Sequence, residues 1–194
     1  NIAAFPKFLN ELKDKEKSIR TDVKKYPKLK DYRTGGQYYR EKLPAWVLFE
    51  YVDFGTIVTL FEYLSAVHRN KILSQMYNVK NVNKGIAKEF DTWLNAVRNL
   101  RNKCAHHNRV IGTTSSIVSK SSQETVAFNM QSQTDLFSRI YAISKFLNQS
   151  ERNKLKQKIL KLIKKFEKCT VSFDLLNILP SNWEIQFDNI SLFF

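Results

Sequence analysis

Apolar side chains recur every three or four positions along most of this 194-residue chain. Side chains at that spacing share one face of an α-helix and are buried together. We predict six helices, at about residues 5–20, 45–67 with a kink near Gly55, 68–77 as a short basic helix, 85–108, 126–147 and 150–168. Only five glycines and four prolines interrupt the chain, so we predict an all-α fold.

Two stretches without this spacing are predicted to be loops. Residues 21–42 are basic and rich in tyrosine, and their proline and adjacent glycines favour a mobile surface loop. In an alternative interpretation, this loop stacks side chains on unpaired RNA bases, and the candidates are Tyr38, Tyr39 and Arg40. The second loop, residues 113–123, is rich in serine and threonine.

The composition limits the number of domains. Apolar residues make up 43% of the chain and aromatic residues 13%, which is enough to fill one core at this length. We find no internal repeat and no sign of a second domain. The prediction is therefore a single domain over residues 1–194, a helical bundle with long basic loops.

The net charge is strongly positive. The chain has 32 lysines and arginines against 18 acidic residues, a formal net charge of +14. This surplus favours a polyanionic partner, either nucleic acid or an anionic membrane surface. A lysine-rich coding bias explains part of it, but not arginines next to histidines. The predicted helix at 150–168 has a basic outer face, which is either a solvated face or an RNA-binding surface formed by Lys161, Lys164 and Lys165.

Several other features argue against membrane, metal and secreted classes of protein. The most apolar stretch, residues 45–67, contains Glu50, Asp53 and Glu62, so we expect a buried helix rather than a membrane span. Three histidines and two cysteines without metal-ligand spacing predict no metal site, and we expect no cofactor. The first residues lack a secretory pattern and the cysteines suit free thiols, which predicts a cytoplasmic protein.

The segment with the clearest chemistry is residues 96–110, AVRNLRNKCAHHNRV. Cleaving RNA without a metal requires a group that moves protons near neutral pH, and histidine has an ordinary pKa of about 6.5. It also requires a cation at the phosphate, and a guanidinium binds phosphate oxygens through two parallel hydrogen bonds. The segment supplies the cation Arg101, the amide Asn102 and the proton carrier His106.

The predicted helix at 85–108 does not place these side chains together. Successive residues turn by about 100°, so Arg101 lies about 140° from His106 around the helix. Either the last turn is distorted or a second copy of the helix completes the site. Alternatively, Arg101 covers apolar surface and His106 interacts with the helix dipole. Another face of the helix is predicted to be buried, including cysteine as a small apolar residue: Phe90, Trp93, Val97, Leu100 and Cys104.

Three segments of the chain resemble the Abi-like abortive-infection proteins of bacteria. They are LPAWVLFEYVDFG at 43–55, FDTWLNAVRNLRNKCAHHNRV at 90–110 and LPSNW at 179–183. Their order and spacing are similar to those of the family, and the combination is more specific than any one segment. Within the second segment, Arg101, Asn102 and His106 also fit the Arg-Asn-x3-His pattern of HEPN ribonucleases.

The resemblance implies a HEPN-like helical bundle and a metal-independent endoribonuclease. The implied reaction is attack of an RNA 2′-hydroxyl on the adjacent phosphate, which leaves a 2′,3′-cyclic phosphate. By position in the motif, His106 is implied as general acid or base, Arg101 as the ligand of the phosphate and transition state, and Asn102 as an orienting residue. Residues implied in supporting roles are Glu50, Arg98, His107, Asn108 and Arg109.

The resemblance also implies a biological role and partners. Abi-like toxins act in phage defence, and two HEPN motif helices meet across a dimer, so we expect a homodimer that acts on RNA. A small RNA or a protein antitoxin is the expected regulator. Family members normally begin with further helices, which this chain is expected to lack. Two alternatives remain: a non-catalytic RNA-binding or scaffold protein of the same fold, and a HEPN partner of a nucleotidyltransferase-type antitoxin.

Overall fold

The structure is a computed structural model that describes residues 4–39, 41–80, 82, 84–113, 116–119, 134–168 and 178–190. Every regular element in this part of the chain is a helix, which confirms the all-α prediction. The chain divides into two compact units, Asn1–Ser65 and Ala66–Phe194. A single domain over residues 1–194 stays a prediction.

The first unit contains three α-helices and one 3₁₀ helix around a small apolar core. These elements are α1 (Phe5–Thr21), the 3₁₀ helix (Pro27–Tyr32), α2 (Ala45–Tyr51) and α3 (Phe54–Tyr63). One side chain from α1, one from the 3₁₀ helix and three from the start of the α2 region form the buried core: Ile19, Leu29, Leu43, Val47 and Leu48. The predicted helix at 5–20 is confirmed.

The helix predicted at 45–67 with a kink near Gly55 is wrong as one continuous helix, because α2 ends at Tyr51 and Asp53 caps the start of α3. The backbone is extended at Val52 and Asp53, and Asp53 Oδ1 accepts a hydrogen bond from the N–H of Thr56 at 2.9 Å as the cap of α3. A hydrogen bond from Lys15 to Asp53 at 2.8 Å, together with one from Thr56, lowers the pKa of this carboxyl. Apolar spacing continues through the break, so the sequence predicts a kink near Gly55 but no end of the helix.

The stretch predicted as a mobile loop, residues 21–42, contains the 3₁₀ helix and is stabilised by side-chain hydrogen bonds from Arg33. The side chain of Arg33 donates to the carbonyls of Arg20 and Tyr26, both at 2.7 Å. Gly36 lies against the backbone of Asp31, where a Cβ would clash. The sequence did not indicate the 3₁₀ helix, and the mobility of the rest of the stretch stays a prediction.

The second unit contains five described α-helices. They are α4 (Ala66–Tyr77), α5 (Lys84–Ala105), α6 (Leu136–Ser144), α7 (Gln149–Phe166) and α8 (Trp183–Asp188). The core lies mainly between α5 and α6, where Trp93 is fully buried and its ring meets that of Tyr141 at 6.2 Å. The Lys145 ammonium lies 5.1 Å from the centre of the Trp93 ring, an attraction that suits a buried cation.

The helix predictions in this unit are mostly confirmed, with changes at the ends. Helices predicted at 68–77 and 150–168 correspond to α4 and α7, and α7 begins with a capping box between Asn148 and Glu151. The motif helix ends at Ala105 rather than at 108. Of the helix predicted at 126–147, residues 126–133 lie outside the described part. None of the described helices is both long and apolar enough to cross a membrane.

Candidate functional site

The motif residues lie at the carboxyl end of α5, where the helix passes from the core into solvent. Phe90, Trp93 and Ala96 are buried, whereas Arg101 and all residues from 104 to 109 are exposed. The first part of the helix is therefore packed in the core, and its carboxyl end is accessible to solvent. A side chain on this last turn can reach a ligand without any rearrangement of the core.

Asn102 connects the other two motif residues. Its side-chain oxygen accepts a hydrogen bond from Arg101 Nη1 at 3.2 Å, and its backbone carbonyl accepts one from the N–H of His106 at 3.0 Å. The second bond has the four-residue spacing of an α-helix, so His106 keeps the helical register. Arg101 and His106 therefore stay about 140° apart around the axis, without the distortion that one interpretation requires.

The helix stops immediately after His106 in a Schellman turn. The N–H of His107 bonds to the carbonyl of Cys104 at 3.2 Å, and the N–H of Asn108 bonds to that of Lys103 at 2.8 Å. Such a turn needs a left-handed residue, most often glycine, after the helix. Here that residue is His107, with a φ of 52°. The backbone therefore gives His107 and Asn108 a role in ending the helix.

Arg109 is folded back onto the loop that follows the motif. Its Nε donates to the carbonyl of Ile111 at 2.8 Å. Its guanidinium covers Gly112, where an added Cβ would lie 3.1 Å from Nη2. Gly112 also has a φ of 68°, so both conformation and space favour glycine there. Arg109 is exposed, and its side chain also stabilises the loop.

A buried arginine of α6 holds the same loop in place. Arg139, only 1% exposed, donates to the carbonyl of Val110 at 3.3 Å and to the carbonyl of Thr113 at 2.8 Å. On the other side, Lys103 Nζ donates to Thr113 Oγ1 at 2.7 Å. The loop is thus fixed to both α5 and α6. Arg139 was not among the predicted site residues, because its only signal in the sequence is a charge within the apolar run LFSRIYAI.

The region that contains the motif matches a known family. Residues 4–112, more than half of the chain, match the family model described as Abi-like protein. The chain belongs to the Abi-like family. This membership indicates a role in abortive infection, a bacterial defence against phage. No curated protein and no solved structure matches the chain.

The family match contains two of the three segments that resemble Abi-like proteins. Residues 43–55 correspond to α2 and the start of α3, and residues 90–110 correspond to most of α5 and its terminal turn. The third segment, LPSNW at 179–183, lies beyond the matched residues. The motif Arg101, Asn102 and His106 is therefore inside the region that carries the family relationship.

The other candidate residues of this Abi-like protein are distributed over both units. Arg98 is half-buried on α5, and Glu50 is exposed on α2 in the first unit. Tyr38 and Tyr39 are exposed beyond the 3₁₀ helix, and Arg40 lies outside the described residues. The structure therefore brings together the motif and the residues after it, while the roles of these more distant candidates stay predictions.

The basic candidates on α7 are exposed, as predicted for an outer face. These residues are Lys161, Lys164 and Lys165. Lys164 also borders a groove of about 250 Å³ between α7 and the segment around Trp183. In the described residues, no group of three or more histidine, cysteine, aspartate or glutamate side chains is placed to hold a metal ion.

Cys104 is exposed, so the prediction that it belongs to the core is wrong. The face was identified correctly at Phe90 and Trp93, which are buried. Their aromatic neighbours Phe146 and Tyr141 contact α5 at least three turns before Cys104. Helical spacing indicates which side chains share a face, but not how far along the helix that face is covered.

Arg139→Met is expected to lower the free energy of unfolding by about 2–3 kcal/mol, because it leaves two loop carbonyls without their charged donor. Amide hydrogen exchange at residues 106–113 should also accelerate. Arg139→Lys should recover only part of the loss, since an ammonium lacks the fork that spans two carbonyls. The exposed Lys158→Met is the control. Unchanged stability and exchange in Arg139→Met would contradict this role.

The effect of a substitution at His107 on stability should depend on whether the new residue tolerates a positive φ, and not on its side-chain chemistry. His107→Gly is expected to keep or raise thermal stability, because glycine adopts a positive φ without cost. His107→Val should lower the free energy of unfolding by about 1–2 kcal/mol. His107→Asn, which tolerates this conformation, should resemble the parent. A glycine variant less stable than the valine variant would refute the assignment.

Proposed function

We propose that this Abi-like protein is a metal-independent endoribonuclease of the HEPN type, which acts as a toxin in phage defence. Arg101, Asn102 and His106 stand at the exposed end of one helix, and Asn102 contacts both other residues. This juxtaposition carries the proposal. It combines a phosphate ligand, an orienting amide and a group that exchanges protons near neutral pH.

The proposed reaction is an internal transesterification of RNA. A base takes the proton of a 2′-hydroxyl, and the 2′-oxygen forms a bond to the adjacent phosphorus. The bond from phosphorus to the 5′-oxygen breaks, and an acid gives that oxygen a proton. The products are a 2′,3′-cyclic phosphate and a 5′-hydroxyl. His106 acts as acid or base, while the guanidinium of Arg101 stabilises the charge of the pentavalent phosphorane.

The proposed active form is a homodimer. Because Arg101 and His106 diverge by about 140° on one helix, a single α5 directs them to different sides. A second α5, placed with its exposed end against the first, would let Arg101 of one subunit and His106 of the other meet at one phosphate. The exposure of Arg101, Asn102 and residues 104–109 leaves room for this arrangement.

The proposed partners follow from the charge and the family. RNA is the substrate, in agreement with the net charge of +14. A small structured RNA or a protein antitoxin would restrain the toxin until infection, and the expected compartment is the cytoplasm. A non-catalytic RNA-binding protein is the other outcome that the next experiment distinguishes.

His106→Ala is expected to slow RNA cleavage by about 10²–10⁴-fold, the usual loss on removing a general acid or base, while RNA binding is nearly unchanged. Growth toxicity should disappear with cleavage. Arg101→Ala should slow cleavage as well, and Arg101→Lys should not restore it, because an ammonium lacks the planar fork. The measurement is cleavage of end-labelled RNA by the purified protein in EDTA, with detection of the cyclic phosphate.

The control for this experiment is Cys104→Ser, an exposed position on the same turn with no proposed role in the chemistry. It should cleave RNA at the parental rate. Cleavage by His106→Ala at the parental rate, or a requirement of the parent for a divalent metal, would overturn the HEPN mechanism. Binding without any cleavage by the parent would favour the non-catalytic alternative.

Mixing two inactive variants tests the composite site. If each site takes Arg101 from one subunit and His106 from the other, a mixed dimer of Arg101→Ala and His106→Ala contains one intact site. Refolding the two variants together should therefore restore cleavage in part, whereas each alone stays inactive. A mixture of two preparations of His106→Ala is the control. Activity in a strictly monomeric parent would exclude the dimer.

A further inference from the structure

Four lysines of α7 form a continuous stripe on its outer face. Lys154, Lys158, Lys161 and Lys165 follow one another at intervals of four, three and four residues, which places them within about 60° around the helix. All four are exposed. The stripe runs over about three helical turns, roughly 16 Å. Lys164, predicted with this group, lies about 90° from the centre of the stripe around the helix.

The opposite face of α7 is fixed to the rest of its unit. Arg152 is buried and donates to the carbonyls of Ser144 at 2.8 Å and Ile190 at 2.6 Å. Lys156 pairs with Asp188 at 2.6 Å and with Glu184 at 3.6 Å. These contacts set the rotation of the helix about its axis. The stripe, which is about 180° away, therefore faces outward.

Among the described residues, the acidic side chain of α7 is engaged in the cap of the helix. Within α7 the acidic residue is Glu151, whose side chain accepts a hydrogen bond from the backbone of Asn148 at 2.9 Å in the capping box. Lys154, Lys158 and Lys161 have no salt bridge within the described residues. The unit Ala66–Phe194 holds 20 of the 32 basic residues but only nine of the 18 acidic ones. The positive potential is therefore concentrated in the unit that presents the stripe.

We infer that the stripe binds the phosphate backbone of the RNA on which the protein acts. The inference rests on the proposed function in that RNA is the ligand, and it adds a docking surface on a helix that does not carry the motif. Lysines on consecutive turns offer ammonium groups in a row, which suits a chain of phosphates without reading its sequence. The expected contribution is therefore affinity and register, not base specificity.

RNA fits this face better than a membrane surface does. A helix that lies on a bilayer inserts an apolar face between the headgroups. The apolar face of α7 is turned towards its own unit, where Ile163 and Leu160 line the groove beside Trp183. Among the exposed residues of α7 one large apolar side chain stands out, Leu162, 64% exposed. Because the outer face of α7 is charged and lacks an apolar surface, it favours a water-soluble polyanion such as RNA over a membrane.

The test measures how RNA affinity depends on salt. Each ammonium–phosphate contact contributes about 0.7 to the slope of log K against log salt for single strands. Replacing the four stripe lysines with glutamine should therefore lower that slope by about 2 to 3. The probe is a labelled, unstructured RNA, and the background is His106→Ala so that the RNA stays intact. The two half-stripe variants, at 154/158 and at 161/165, should each give about half of the effect.

The matched control removes the same charge from α1 and the residues after it. Lys7, Lys13, Lys17 and Lys24 are exposed, but the carboxylates of Glu11, Asp14, Glu16 and Asp22 alternate with them. Changing these four lysines to glutamine should leave the slope nearly unchanged. If the salt slope falls equally in both variants, the effect is one of diffuse charge and the inference fails. It also fails if the slope falls in neither variant.

The remaining outcomes separate this inference from the proposed function. If stripe variants lose binding to anionic phospholipid vesicles but keep the parental salt slope on RNA, the surface serves a membrane and the inference fails. Circular dichroism verifies that each variant is folded. If the variant with all four substitutions unfolds, the salt slopes of the two half-stripe variants test the inference instead. Should the His106→Ala background still cleave the RNA, the proposed mechanism fails, while the salt slope measured on cleavage-resistant 2′-O-methyl RNA still decides the stripe.

Discussion

The end of α5 is shaped by the need to satisfy backbone carbonyls at a helix terminus. The last carbonyls of any helix lack partners within it, and here the Schellman turn provides them through the N–H groups of His107 and Asn108. Arg139 then satisfies the carbonyls of the next residues from within the core. Because the backbone is held in this way, the motif side chains are left free for a ligand.

This division between backbone and side chain explains how a site can be both exposed and ordered. Exposed side chains at a helix end usually fray with it. In this protein the loop that follows is fixed on one side by Lys103 and on the other by Arg139. A substrate that meets the motif therefore encounters a preformed backbone, and only the side-chain rotamers of Arg101 and His106 need to be ordered. Such pre-organisation lowers the entropic cost of binding.

Sequence reasoning identified several helices even though few of their side chains are fully buried. The positions of α1 and α7 follow from apolar spacing, and so does the burial of Trp93. It did not identify features that depend on a single polar contact between distant residues. The break at Asp53 depends on a cap and on Lys15, and neither changes the apolar spacing.

The candidate site shows the same limit. The motif could be recognised as a set of residue types, and its place on a helix followed from periodicity. The exposure of Cys104 could not be predicted, because it depends on how far the neighbours of α5 extend. Arg139 could not be assigned either, since its partners are carbonyls about 30 residues away in the chain. Local patterns carry no information about which carbonyls a buried guanidinium will meet.

The exposure of the motif also bears on how the proposed chemistry would reach its full rate. Charges in water attract each other weakly, by about 1 kcal/mol at 4 Å, and the attraction grows severalfold where water is excluded. Arg101 and His106 of a single chain face solvent, so the isolated helix end stabilises a charged transition state poorly. In the proposed dimer, a second α5 and the bound RNA would exclude that water. Dimerisation would then supply both the missing partner residue and the low dielectric that electrostatic catalysis needs.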